Sequence, residues 1–423
     1  MRSASHSPAR SRFWSRTQSQ EYVGAASRPG YALCVDVIDW GTAQRVGELV
    51  AGSPPFGGVR SASVEPLTRE FAGKVGEYSG LTFSTELPSL ELVDRPGWIA
   101  ANLKSMRPLL APITEPLGDG KGLFAGPLRS VSGLLMGVQV GALTGVLSQR
   151  VLGQYDLALL DETVTPRLLL LAPNLAQAAN ALGVDRDELV LWVSIHEITH
   201  AVQFSGAPWL REYLGGMLKE LIEGLQVTIT GGSSSNDEEH AGEGNGKRSG
   251  GWTPSMPKLP DAAELRDMVE RARRGELLRL TLGEDRWQLV ERMQAAMSLI
   301  EGHAEHVMDE IGADVLPSLP RLRAAMNHRR ENRGLPWRVL ERLLGLELKM
   351  RQYETGRRFC DAVVAAGGPQ ALALAWTGPE ALPTPAELEQ PSLWIARVPG
   401  ADAVTPAISG TYQATVEATD RDN

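Results

Sequence analysis

The stretch LWVSIHEITHAVQF, residues 191–204, carries two histidines four positions apart, with a glutamate directly after the first. Each residue of an α-helix turns about 100°, so His196 and His200 stand on one face, one turn apart. Their imidazoles then reach a single cation. Glu197 points to the side, where a carboxylate contacts a water on the metal without being a ligand. This is the H-E-x-x-H arrangement, in which two neutral imidazoles hold zinc and the glutamate takes a proton from the activated water. The flanks fit that chemistry. Val193, Ser194, Ile195, Ile198, Thr199, Ala201 and Val202 are all uncharged, as a buried helix requires, because a charge there is costly. The plain alternative is a pair of core histidines satisfied by hydrogen bonds. We take the pattern as a Zn²⁺ site.

Zinc needs a third protein ligand and an open position for water. The other histidines are His6, His240, His303, His306 and His328, and two of them fall in MSLIEGHAEHVMDEIG, residues 297–312. On a helix, Met293, Ala296, Met297, Ile300, Ala304, Val307, Met308 and Ile311 form one apolar face. Glu301 and Glu305 border it on one side and His303 on the other, with His306 nearest to solvent. The run Glu301-Gly302-His303-Ala304-Glu305 resembles the second helix of thermolysin-like, or gluzincin, enzymes, which reads E-G-x-x-D. That resemblance favours Glu301 over His303 as the third ligand. It also makes Glu305 a partner that hydrogen-bonds a ligand imidazole and orients it. Two departures stand out: glutamate replaces the aspartate, and the interval from His200 to Glu301 is far longer than in thermolysin. A solvated helix edge with scattered charges is the plain alternative for this stretch.

Elements must bring these residues together, and helical signals dominate. GVDRDELVLWVSIHEITHAVQFSGAP reads as a helix with Asp185 or Asp187 as N-cap, closed by Gly206 and Pro208. WLREYLGGMLKELIEGLQVTI reads as another. Within TPRLLLLAPN, residues 165–174, the run LLLLA bounded by prolines is the best strand candidate. Residues 37–113 read as short amphipathic pieces broken by Pro and Gly. Further helices extend to about residue 366. In VSGLLMGVQVGALTGVLS, residues 131–148, Gly133, Gly137, Gly141 and Gly145 recur every fourth position. They form a flat stripe against which a second helix packs closely. The segment is long enough for a membrane span, but Gln139 and the Thr144 and Ser148 hydroxyls lead us to expect a buried core helix. Tyr155 and Asp156, or Arg351 and Tyr353, are further candidates to approach the metal and polarise a carbonyl, as a Tyr or His does in related peptidases; with nothing in the sequence to place them near the metal, they read as structural. Trp209 and Trp337 read as core residues.

The chain has 423 residues with 43% hydrophobic and 22% charged content, a globular composition with material for a large core. Its net charge of −9 argues against nucleic acid as a partner, since phosphate contacts need clustered basic surface. Cys34 and Cys360 are the only cysteines, which fits a reducing cytoplasm. We expect a disordered Ser/Arg-rich arm over 1–29, one helical domain over 30–400 with a flexible insertion at 231–257, and a disordered tail over 401–423.

VDRPGWIAAN (93–102), QVGALTGVLSQRVLGQYDLAL (139–159), LLLLAPNLA, LWVSIHEITHAVQFSGAPWLR, MSLIEGHAEHVMD and LELKMRQYETGRRF (346–359) together resemble a bacterial, mostly actinobacterial, family of zinc-dependent metalloproteases. Some of its members are described as associated with biosynthesis of the deazaflavin redox coenzyme. The resemblance covers roughly residues 30–400. It implies a mainly α, zincin-like, cytoplasmic metallohydrolase with at most a small β element, and it implies no membrane partner and no particular substrate. The expectation is therefore a metallopeptidase-type zinc hydrolase acting on a peptide or amide. The alternatives are a catalytically silent, zinc-stabilised scaffold that binds a partner, or a non-peptide amidohydrolase in coenzyme metabolism. The oligomeric state is not readable.

Overall fold

The computed structural model describes residues 37–55, 65–82, 87–88, 90–114, 127–161, 163–231, 283–331 and 346–402. The arm at 1–29, nearly all of the insertion at 231–257, Trp337, the Arg351 and Tyr353 side chains and most of the tail lie outside the described residues.

Among the described residues, three short strands are embedded among helices. β1 (Leu90–Val93) and β2 (Gly153–Asp156) flank β3 (Arg167–Leu171). β1 runs parallel to β3 with Leu90 opposite Leu168, and β2 runs antiparallel with Tyr155 opposite Leu168. The central strand is the leucine run, and all four leucines are fully buried. Successive side chains of a strand point to opposite faces. Leu168 and Leu170 therefore enter the main core, while Leu169 and Leu171 enter a smaller one with Trp98 and Ile99. Both faces are covered, which is why this strand reads as an unbroken apolar run. β1 and β2 were not anticipated. Each has only four residues, and GQYD carries no apolar periodicity.

The smaller core lies under α1 (Trp40–Ala51), α3 (Arg95–Thr114) and α4 (Pro127–Ser148). The glycine stripe of α4 packs against α1: a Cβ on Gly137 or Gly145 would sit 2.5 Å from the carbonyl oxygen of Asp39 or Gly47. The expectation of a buried core helix holds for one face only. Only the glycine face is covered, and Val131, Leu134 and Leu135 on the far side are at least half exposed. Among the described residues, two stretches are long and apolar enough to cross a bilayer by length and composition, Val131–Ser148 and Glu354–Trp376.

The main core is built on α2 (Glu65–Ser79), α5 (Ala172–Leu182), α6 (Arg186–Gly206), α7 (Trp209–Gly231), α8 (Glu284–Val315), α9 (Leu319–Glu331) and α10 (Leu346–Ala373). Two short helices, α11 (Pro385–Glu389) and α12 (Pro391–Arg397), close the chain's described end. The fold is mainly α with a small sheet. Helix α6 starts as its sequence indicates: the Asp185 side chain accepts from the N–H groups of Asp187 and Glu188, satisfying donors that the first turn leaves open. α6 packs between β2 and β3 on one side and α8 and α2 on the other. α8 in turn packs closely on α10. A Cβ at Gly302 would collide with the backbone of Gly356 and Arg357.

Trp209 is half-buried, and its indole N–H donates to the Trp376 carbonyl at 3.0 Å. His306 corrects the expectation of a solvent-facing position. It is buried, with Nε2 2.7 Å from the Tyr78 hydroxyl and Nδ1 2.6 Å from Asp361 Oδ1. The wheel assumed one wet side, whereas α8 has α2, α6, α7 and α10 around it.

Candidate metal centre

One helical turn of α6 brings His196 Nε2 and His200 Nε2 to 3.2 Å from each other. Glu301 arrives from α8, its Oε2 3.6 Å from His196 Nε2 and 3.5 Å from His200 Nε2. Metal–ligand bonds of about 2.0–2.1 Å at tetrahedral angles place neighbouring donor atoms about 3.3 Å apart. The triangle made by these three atoms has edges of that size, so the residues present fit a zinc ion. The side chains of His196, His200 and Glu301 are 22%, 10% and 18% exposed. The cluster is therefore set in the core yet reachable from solvent, as an additional position for water requires.

The electrostatics match a cation site. Burial pulls the His200 imidazole down, but the facing carboxylates of Glu301 and Glu197 outweigh it and hold it up to about 9. Burial alone would raise Glu301, yet the two imidazoles pull its carboxyl well below the usual carboxylate range. Without a metal, positive charge is drawn to where the donors converge.

Glu197 is buried beside them. Burial pushes its carboxyl up, the neighbouring imidazoles pull it back, and the backbone N–H of Tyr155 hydrogen-bonds it. The close approach of β2 to α6 depends on Gly153, where a Cβ would lie 2.7 Å from Glu197 Oε1 and 2.8 Å from Val193 Cγ1. The Tyr155 ring packs on Phe204 with centroids 5.8 Å apart, and burial raises its hydroxyl to about 12. Its backbone N–H is the group that meets Glu197. Asp156 accepts from the Ser105 hydroxyl at 3.4 Å, and burial raises its carboxyl.

The other sequence candidate for third ligand sits differently. His303 is buried and stacks edge-on against Trp376 with centroids 4.9 Å apart. Its Nδ1 is 2.9 Å from Gln203 Nε2. Burial, then the nearby His306 and His200 rings, lower it to about 3, so it is a neutral core histidine. Glu305 is buried one turn beyond Glu301. At His200, however, the oxygen 2.9 Å from Nδ1 belongs to Gln203. The sequence reading missed Gln203, although an amide three residues past the second histidine, inside an apolar run, was a visible signal. Gly153 and the Tyr155 N–H were missed for lack of any local signal.

No curated protein matches the chain. Among solved structures it is similar to a crystal structure from Chloroflexus aurantiacus described as a "putative hydrolase with a novel fold". The two share 28% identity with a TM-score of 0.58, over 85% of this chain and 98% of that one. The family model for zincin-like metallopeptidases matches residues 38–395, a span that holds α6, α8 and the sheet. With two imidazoles and a buried carboxylate on one helix and a second carboxylate facing the imidazoles from another, the chain belongs to the zincin-like metallopeptidase family.

Proposed function

We propose that this protein is a zinc-dependent hydrolase that cleaves a peptide or other amide bond. The observation that carries the reading is the convergence of His196, His200 and Glu301 beside a buried carboxylate, Glu197, that none of them needs as a ligand. His196, His200 and Glu301 would hold the ion, and Glu305, buried one turn beyond Glu301, would orient a ligand imidazole other than that of His200, whose Nδ1 faces Gln203. Bound there, zinc would polarise the scissile carbonyl and lower the pKa of its water to about 7. Glu197 would be the group that takes a proton from the attacking water and passes it to the leaving amine. The Tyr155 N–H holds the carboxylate in place, and burial keeps its pKa raised, which suits a base that must also act as an acid.

The strand beside the site favours an extended peptide over a compact amide. Leu171 N–H bonds the Leu152 carbonyl at 2.9 Å. In an antiparallel ladder this alternation turns the backbone groups of Gly153 and Tyr155 away from β3, and Tyr155 N–H indeed reaches Glu197. The outer edge of β2 thus borders the site, and a strand edge pairs with an added extended chain. A cytoplasmic, reducing setting agrees with Cys360 being a buried free thiol.

The test is zinc analysis of the purified full chain beside its variants, followed by hydrolysis assays on peptide and amide libraries. Wild type and His303→Ala should each carry one zinc, and Glu301→Ala should carry little. Equal zinc in wild type and Glu301→Ala would overturn the ligand set. Glu197→Gln should keep zinc and lose all turnover; a zinc-loaded wild type without turnover on any library would favour a silent scaffold.

A further inference from the structure

Gln203 is fully buried and bridges the two helices that supply the ligands. Its Oε1 is 2.9 Å from His200 Nδ1, while its Nε2 is 2.9 Å from the Ile300 carbonyl oxygen and 2.9 Å from His303 Nδ1. A backbone carbonyl only accepts, so the amide nitrogen must face α8 and the amide oxygen must face His200. The two amide hydrogens meet two acceptors, Ile300 O and His303 Nδ1. That leaves the side chain a single fully bonded orientation. An amide oxygen at His200 Nδ1 requires a hydrogen on that nitrogen, so Nε2, on the side of His196 and Glu301, is the atom left to offer a lone pair. Ile300 immediately precedes Glu301, so the same amide also ties the His200 ring to the backbone that carries the carboxylate.

We propose that Gln203 is a positioning residue of the metal centre: by accepting from Nδ1–H of His200 it fixes that ring and selects Nε2 as the donor atom. The inference rests on His196, His200 and Glu301 being the ligands. Its test separates the two ideas. Zinc affinity of the full chain is measured by chelator competition for wild type, Gln203→Met and Gln203→Glu, alongside the melting temperature of each metal-free protein. Methionine keeps the volume and removes every bond. It should weaken zinc binding about 10–100-fold, the usual cost of losing a group that orients a ligand histidine. Glutamate still accepts from His200 Nδ1–H but cannot donate to Ile300 O. It should restore zinc affinity to near the wild-type value while the metal-free protein stays less stable than wild type.

Unchanged affinity in Gln203→Met would overturn the assignment. So would equal weakening in both variants, which would reduce Gln203 to a clamp between helices. Nitrogen NMR of the zinc-loaded wild type gives a readout that does not depend on a variant folding. It should show His200 coordinated through Nε2, with a slowly exchanging proton on Nδ1; coordination through Nδ1 would also overturn the assignment. Absence of zinc from wild type would instead count against the proposed function and not against the role of Gln203 alone.

Discussion

The proposed reaction asks one carboxylate to take a proton from water and give it back, which needs a raised pKa and a fixed position. Burial gives Glu197 the first, and the backbone of β2 gives it the second through the Tyr155 N–H. The space for that contact exists because residue 153 has no side chain, since any Cβ there would press on the Glu197 carboxylate. Displacing a catalytic group by about 1 Å costs roughly a hundredfold in rate. We therefore expect Gly153→Ala to lower kcat about a hundredfold while zinc content stays at the wild-type level, because the atoms nearest that Cβ belong to Glu197 and Val193. Steady-state kinetics with parallel metal analysis would check it. Wild-type kcat in Gly153→Ala would mean that the position of Glu197 does not limit the reaction.

At the scale of elements, the site is an intersection of α6 and α8, and α8 is held in place from behind by α10. Gly302 lies next to Glu301 and meets the backbone around Gly356, so Gly302→Ala must push the helices apart. Overpacking of this kind costs about 1–3 kcal/mol, and here it also moves a ligand. Denaturant unfolding should show that loss together with weaker zinc binding. Gly216→Ala in α7, where a Cβ meets nothing within 4 Å, should instead stabilise by about 0.5–1 kcal/mol. If the two variants behave alike, the close approach of α8 to α10 is not what holds Glu301.

This intersection was partly legible in the sequence. The H-E-x-x-H helix announces itself through its spacing, its uncharged flanks and its Asp185 cap, and Glu301 through the run in which it stands. β3 shows as four leucines because both of its faces are buried. β1 and β2 do not show, since four-residue strands have no room for a period and β2 is polar. The burial of His306 was hidden for a related reason. Amphipathicity marks a helix with one wet side, and α8 is surrounded, so its polar residues mark internal bonds to Tyr78 and Asp361 instead of solvent.

For the whole molecule, the proposed ligands come from two helices far apart in sequence, and only the folded chain brings them together. A ligand that binds the native state alone stabilises it by mass action, by about 2.7 kcal/mol at a hundredfold excess over Kd. In a large domain each kcal/mol moves the melting temperature by about 2–4 °C. Stripping zinc from the wild type should therefore lower its melting temperature by roughly 5–10 °C, and restoring zinc should recover it. Glu301→Ala should melt near the stripped wild type and respond little to added zinc. Glu197→Gln should keep the full shift, because its carboxylate is not among the donors. That last comparison carries the most weight, since it separates holding the ion from using it. A variant that is stabilised by zinc like the wild type and yet hydrolyses nothing would assign the chemistry to Glu197 and the architecture to the three ligands. A Glu197→Gln variant that loses the shift would instead make the glutamate part of the binding site.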